Sequence, residues 1–264
     1  MRPARTWARV LASAAAWSGW AACLAAAAYV RLPGGEFVSA LSVDGSAARI
    51  RIEPFSMRTE PVTNDEFLAF VRAHPAWRRG QVSPLFAGPH YLASWAGPLT
   101  PGPTARPAQP VTDVSWFAAR EYCASEHARL PTWYEWEYAA AADATRTDAR
   151  QDPARNQRVL SAILADTGAR PADIGREPPD VYGIADLNTL LWEWTEDYAA
   201  MFPNADARVP GAAANLALCG GSALAFADKN QYALMMRVAA LSALRPVDDA
   251  PRVGFRCVRD ASGE

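Results

Sequence analysis

Leu187-Asn188-Thr189-Leu190-Leu191-Trp192-Glu193-Trp194-Thr195-Glu196-Asp197 sets two tryptophans around one glutamate and ends on two further carboxylates. Before it stands Val181-Tyr182-Gly183-Ile184-Ala185-Asp186; after it come Leu218-Cys219-Gly220-Gly221-Ser222 and Val253-Gly254-Phe255-Arg256-Cys257-Val258. Short apolar pieces punctuated by glycine read as brief strands among turns. The composition agrees: 10 Trp, 8 Tyr and 9 Phe stand beside 21 Pro and 16 Gly in 264 residues, enough aromatic volume for a core threaded by irregular connections. That length fits one domain. A formal net charge of -2 offers no footprint for nucleic acid.

Upstream, helices are announced by their caps. Thr63 and Glu66 form a Thr-x-x-Glu box ahead of Phe67, Phe70 and Val71, which predicts a helix from Asn64 to about Ala73, stopping before Pro75. Thr132 and Glu135 repeat the pattern ahead of Trp136 and the apolar run 138–142, and Val114-Ser115-Trp116 leads into a helix carrying Phe117, Ala119, Tyr122 and Cys123. Early strands are expected at residues 37–41 and 48–52. Residues 79–110, rich in Pro and Gly, read as a surface excursion pinned by Phe86, Tyr91 and Trp95. Residues 143–180 read as a variable surface segment that embeds the apolar run 159–164.

The first 28 residues stand apart. Arg2, Arg5 and Arg9 precede an uncharged run over residues 10–28 that ends in four alanines, the pattern of a secretory signal. An uncleaved membrane anchor is the other reading. The remainder, residues 29–264, is then an exported domain, periplasmic or otherwise outside the cytoplasm. Without the leader the cysteines are Cys123, Cys219 and Cys257, which implies one disulfide and one leftover thiol in an oxidising compartment. Spacing does not choose the pair.

Taken in order, Pro33-Gly34-Gly35-Glu36-Phe37, Glu60-Pro61-Val62-Thr63-Asn64, Pro110-Val111 with Val114-Ser115-Trp116, Arg129-Leu130-Pro131-Thr132, Glu135-Trp136-Glu137-Tyr138, Tyr182-Gly183, Trp192-Glu193-Trp194, Gly220-Gly221-Ser222 and Gly254-Phe255-Arg256-Cys257 resemble the formylglycine-generating-enzyme (sulfatase-modifying factor) family. The likeness covers residues 32–258. It implies a single α+β domain of the C-type-lectin-like kind with little regular secondary structure, and it implies a disulfide between Cys123 and Cys257.

In oxidase members of that family, two cysteines shortly after Gly-Gly-Ser bind copper(I) as soft thiolates. Here the matching positions are Ala225 and Asn230, so copper is not expected. Cys219, on the other side of the glycines, reads as a small core residue. Met57, Met235 and Met236 offer thioethers and His74, His90 and His127 imidazoles, without metal-site spacing; one of the adjacent pair Met235 and Met236 is expected to fill core. The resemblance also implies a structural calcium held by Asp186 and Glu193 with backbone carbonyls, although Thr189-Leu190 replaces the family's Gly-Asn between them. Glu196 and Asp197 read as a solvated face. Trp192, Ser222 and Arg237 are groove candidates, Arg237 matching an arginine of a late strand in the family, while the second arginine of that pattern is Leu241.

These features imply a non-oxidase accessory or maturation factor that holds a periplasmic protein or peptide. The branch accompanying copper nitrite reductase is the most similar, through residues 186–194. The alternatives are a metal-dependent oxidoreductase of altered chemistry, similar to members acting in siderophore maturation, and a lectin-like binding module. A membrane association is expected only if the leader stays attached.

Overall fold

A computed structural model describes residues 28–43, 46–165, 170–198 and 231–261. Its strands are short, and contacts far apart in sequence hold them together. β1 (Tyr29–Leu32), β4 (Phe55–Arg58) and β9 (Val258–Asp260) form an antiparallel sheet in the order β1-β4-β9, with Met57 opposite both Val30 and Val258. β2 (Gly35–Val43) and β3 (Ser46–Ile52) make a hairpin whose register shifts between Val38 and Ser42. These strands contain the two early ones expected. β5 (Trp95–Gly97) pairs with β6 (Thr100–Pro101), and β7 (Trp192–Glu193) runs parallel to β8 (Val253–Gly254).

The helices are α1 (Asn64–Ala73), α2 (Trp116–Ser125), α3 (Trp133–Ala140), α4 (Pro153–Ala165) and α5 (Tyr232–Ser242). Both boxes read from sequence form. The Thr63 and Thr132 hydroxyls accept from the backbone N–H of Glu66 and Glu135, whose carboxylates reach back to the cap N–H groups. Each satisfies two amides that the helix cannot.

Two aromatic cores result. Under α1 and α2, Phe67 lies 5.8 Å from Tyr122, 6.2 Å from Phe255 and 6.3 Å from Trp95, ring centre to ring centre. Against α3, Trp133 and Trp136 stack at 5.5 Å among Phe37, Phe55, Met57 and Met235. Met235 is thus the core filler of the methionine pair, and Met236 is only half-buried. Cys123 on α2 and Cys257 ahead of β9 are joined, with Cα atoms 5.5 Å apart and both residues fully buried. The bridge closes a separation of 134 residues.

Glycine is required where backbones touch. A Cβ on Gly254 would lie 2.6 Å from the Val111 carbonyl oxygen and 2.5 Å from Leu191 Cδ1, so only glycine lets β8 sit this close.

The structure departs from the sequence reading at two helices. The variable surface segment at residues 143–180 contains a helix that the sequence reading does not place, α4 over Pro153–Ala165: Asp152 Oδ1 accepts the N–H groups of Ala154 and Arg155 and Pro153 opens the helix. Arg237 lies on helix α5, not on a late strand. In the excursion over 79–110, Tyr91 and Trp95 are buried, and Trp95 Nε1 donates to Asn64 Oδ1 at 3.0 Å, while Phe86 stays 44% exposed. No helix among the described residues is long and apolar enough to cross a membrane; residues 1–27 of the leader lie outside them, as do Cys219, Ser222, Ala225 and Asn230.

Candidate functional site

β7 carries Glu193 into the interior between Trp192 and Trp194. The alternation of a strand sends neighbouring side chains to opposite faces. Trp194 is fully buried, its Nε1 donating to the Val114 carbonyl at 3.0 Å, and Trp192 is half-buried. Glu193, on the other side, is fully buried and must find positive partners.

It finds Arg256. The Arg256 Nε lies 3.0 Å from both Glu193 oxygens and Nη2 lies 2.9 Å from Oε1. The remaining guanidinium donors reach the carbonyls of Arg58 and Thr59 at 3.2 Å and of Ala185 at 3.1 Å. Trp136 Nε1 completes the carboxylate at 3.0 Å. The register of β7 on β8 builds this arrangement, because Glu193 pairs with Gly254, two residues before Arg256.

A second guanidinium lies against the first group. Arg237 stacks on the Trp136 ring at 3.5 Å and donates to the Glu193 backbone carbonyl at 2.9 Å, while its Nε has no partner among the described residues. Burial pulls its pKa down to about 9, against the raising effect of Glu193 and with Arg256 lowering it further. Arg237 is therefore an internal cation beside the Trp136–Glu193 contact, only 2% exposed, and not an open groove residue. Of the three groove candidates, the structure places Trp192 and Arg237 on neighbouring elements, with Arg237 Nη1 3.4 Å from the Leu191 carbonyl, and Ser222 lies outside the described residues.

The pair implied as calcium ligands does not fit a metal in this arrangement. Asp186, at φ +58° and buried, spends its carboxylate on the backbone N–H groups of Gly175, Arg176 and Glu177. Glu193 and the nearby Arg58, Thr59 and Ala185 carbonyls are taken by Arg256. The oxygen-rich surroundings expected of a hard cation exist, and a guanidinium fills them. A thiolate copper site does not fit either, since Ala225 and Asn230 offer no sulfur.

Asp197 is also not the solvated carboxylate expected. It accepts the Trp133 N–H at 2.8 Å, covering the start of α3, and burial raises its pKa. Glu196 keeps a surface role, 3.6 Å from Arg120. Arg256 and Trp136 complete the Glu193 centre, a role their short motifs do not reveal. The available signal is an arginine set between Phe255 and Cys257, because a cation inside an apolar stretch demands a buried carboxylate.

This architecture, with little regular structure around tryptophan-rich cores and a buried Glu–Arg centre, belongs to the sulfatase-modifying factor family: residues 21–261 match the sulfatase-modifying factor enzyme 1-like domain. The formylglycine-generating enzyme of Streptomyces coelicolor is 32% identical over 88% of this chain and 89% of its own. The inactive C-alpha-formylglycine-generating enzyme 2 of Mus musculus is 29% identical over 89% and 86%. Among solved structures, PvdO from Pseudomonas aeruginosa shares the fold at a TM-score of 0.51 and 16% identity, over 88% of this chain and 94% of that one.

Proposed function

We propose that this chain is an exported, non-oxidase member of the family that acts as an accessory or maturation factor. It holds a protein or peptide partner, with a copper nitrite reductase the partner to test. The carrying observation is the cysteine count. The chain has four cysteines; Cys123 and Cys257 are consumed in the disulfide and Cys23 stands in the leader, which leaves Cys219 as the single thiol of the body. Two soft thiolates are what a copper(I) centre of the oxidase kind needs, and one thiol cannot supply them. The similarity to a mouse protein named as inactive supports a domain that outlives its chemistry. The scaffold meanwhile retains its bridge, its caps and its Glu193 centre, as a binding role requires.

The test has two arms. The mature protein is purified oxidised and unchelated, analysed for copper, iron, zinc and calcium, and incubated with copper and a cysteine-containing sulfatase peptide. No stoichiometric redox metal and no aldehyde on the peptide is the expected result; either one would overturn the non-oxidase reading. In the second arm, the reductase is matured with and without this factor. Equal copper content and activity in both preparations would remove nitrite reductase as the partner.

A further inference from the structure

Four aromatic rings run in contact across the surface where the chain after α1 meets the start of α2. Trp77 and Phe86 lie 6.0 Å apart, Phe86 and Phe117 5.4 Å, and Phe117 and Trp116 5.4 Å, ring centre to ring centre. None of the four is buried: Phe86 is 44% exposed and the others are half-buried. Beside them Leu85 is 76% exposed. A local turn holds this pair outward. Ser83 Oγ accepts the Leu85 N–H at 3.3 Å, and the Ser83 carbonyl accepts the N–H groups of Phe86 at 2.9 Å and Ala87 at 3.2 Å. One exposed leucine is ordinary, but a continuous apolar strip that the backbone keeps at the surface marks an interaction site.

The charges around the strip are one-sided. From Phe67 to Thr112 the chain has no Asp or Glu, yet it carries Arg72, Arg78, Arg79 and Arg106. Arg106 is paired with Asp173 at 2.8 Å, whereas no ion pair among the described residues involves the other three. Arg78 donates to the Val71 carbonyl at 2.9 Å and the Arg72 carbonyl at 3.1 Å, which sets its charge at the end of α1, and Arg79 follows it in the loop that returns to Phe86. The edge on α2 is different. There Arg120 lies 5.4 Å over the Trp116 ring and 3.6 Å from Glu196, and Glu121 is exposed one turn beyond Phe117. An anionic lipid layer would bring its headgroups against Glu121 and Glu196, while a peptide can set its carboxylates at the arginine edge alone.

We propose that this strip docks an acidic peptide segment of a protein partner, with a large apolar side chain lying on Phe86 and Phe117 and the carboxylates that follow it facing Arg79. The assignment rests on the reading of the chain as a partner-holding domain, and it gives that partner a chemistry and a place on residues separate from the Glu193 centre. Aromatic anchors supply the contact area, and the unpaired guanidinium supplies the choice of charge.

The experiment uses the intact oxidised protein and a heptapeptide capped at both ends, Gly-Ser-Trp-Leu-Asp-Glu-Gly, with calorimetry as the readout. One control peptide carries Lys-Lys in place of Asp-Glu, the other Ser-Ser in place of Trp-Leu. The acidic peptide should bind saturably and at least about tenfold more tightly than either control, the scale of one charge-assisted contact. Phe86→Ser should weaken it by a similar factor. Arg79→Glu should invert the charge preference in favour of Lys-Lys, which a loss of folding cannot produce. Absence of saturable binding, equal affinity for the Lys-Lys peptide, or binding unchanged by Phe86→Ser would each overturn the assignment. So would either of two other occupants: binding to phosphatidylglycerol vesicles through Phe86 in place of the peptide, or a mass in sedimentation that doubles with concentration and returns to the monomer in Phe86→Ser. Should Phe86→Ser fail to fold by near-ultraviolet circular dichroism, the peptide comparison and the Arg79→Glu inversion still decide. Failure here leaves the non-oxidase reading standing, because metal content and aldehyde formation test that reading separately.

Discussion

Glu193 on β7 and Glu137 on α3 are both fully buried carboxylates facing an arginine, yet they sit in opposite circumstances. Glu193 meets a guanidinium that is itself fully buried and whose every donor has an oxygen. Glu137 accepts from Ser39 Oγ, from the Ala40 N–H at 2.6 Å and from Trp133 Nε1 at 3.0 Å, but its arginine, Arg150, is partly open and shared with Asp148. Burial raises the Glu137 pKa despite those bonds. A pair sealed on both sides differs from one whose arginine reaches solvent and a second carboxylate. The difference lies in which elements supply the partner. Parallel β7 and β8 are locked in register around Glu193, whereas Arg150 comes from the loop ahead of α4.

The strongest way to break this contrast is Arg256→Leu. It leaves Glu193 buried without its guanidinium and removes a donor from the Arg58, Thr59 and Ala185 carbonyls, and should cost about 3–5 kcal/mol in denaturant unfolding, the range for breaking a buried pair from one side. A loss below about 1 kcal/mol would show that the centre is not sealed as described. The bridge comes next. Replacing Cys123 and Cys257 together by alanine should cost about 2–4 kcal/mol, since the unfolded chain regains the freedom of a long loop; an unchanged midpoint would contradict the pairing.

Glu137 sharpens the comparison through pH. Its folded-state pKa is raised by burial above the ordinary 4.5, so the folded protein holds this proton longer than the unfolded chain. The site's contribution is then fully present below the unfolded value and is lost as pH rises through the folded one. Stability of the wild type minus that of Glu137→Gln, followed from pH 4 to pH 8, should fall as pH increases. A flat difference would mean that Arg150 alone neutralises the carboxylate. The smallest effect expected is at the helix starts: Thr132→Ala should cost about 1 kcal/mol, with Thr63→Ala similar, because each removes one side of a capping box.

Much of this was legible before the structure. The two boxes, the aromatic positions of α1 and α3 and the two early strands rest on signals within a few residues of one another, where local physics is decisive. Helix α4 was missed although Asp152-Pro153 is itself a start signal, because the polar, alanine-rich composition around it hid the apolar spacing. The calcium expectation treated Asp186 and Glu193 as available oxygens. Their availability depended on Arg256 and on the Gly175–Glu177 backbone, partners at distances of 63 and about 10 residues.

The sequence by itself determined the family, the starts of α1, α2 and α3, and the lack of a second thiol for copper, since each is a matter of residue identity or near-neighbour spacing. Only the tertiary structure decided that Arg256 fills the oxygen-lined centre and that Arg237 lies inside on a helix. Those outcomes depend on which distant groups desolvate one another. A buried charge takes its meaning from partners that folding brings within about 3 Å, and no local pattern in the chain encodes their arrival.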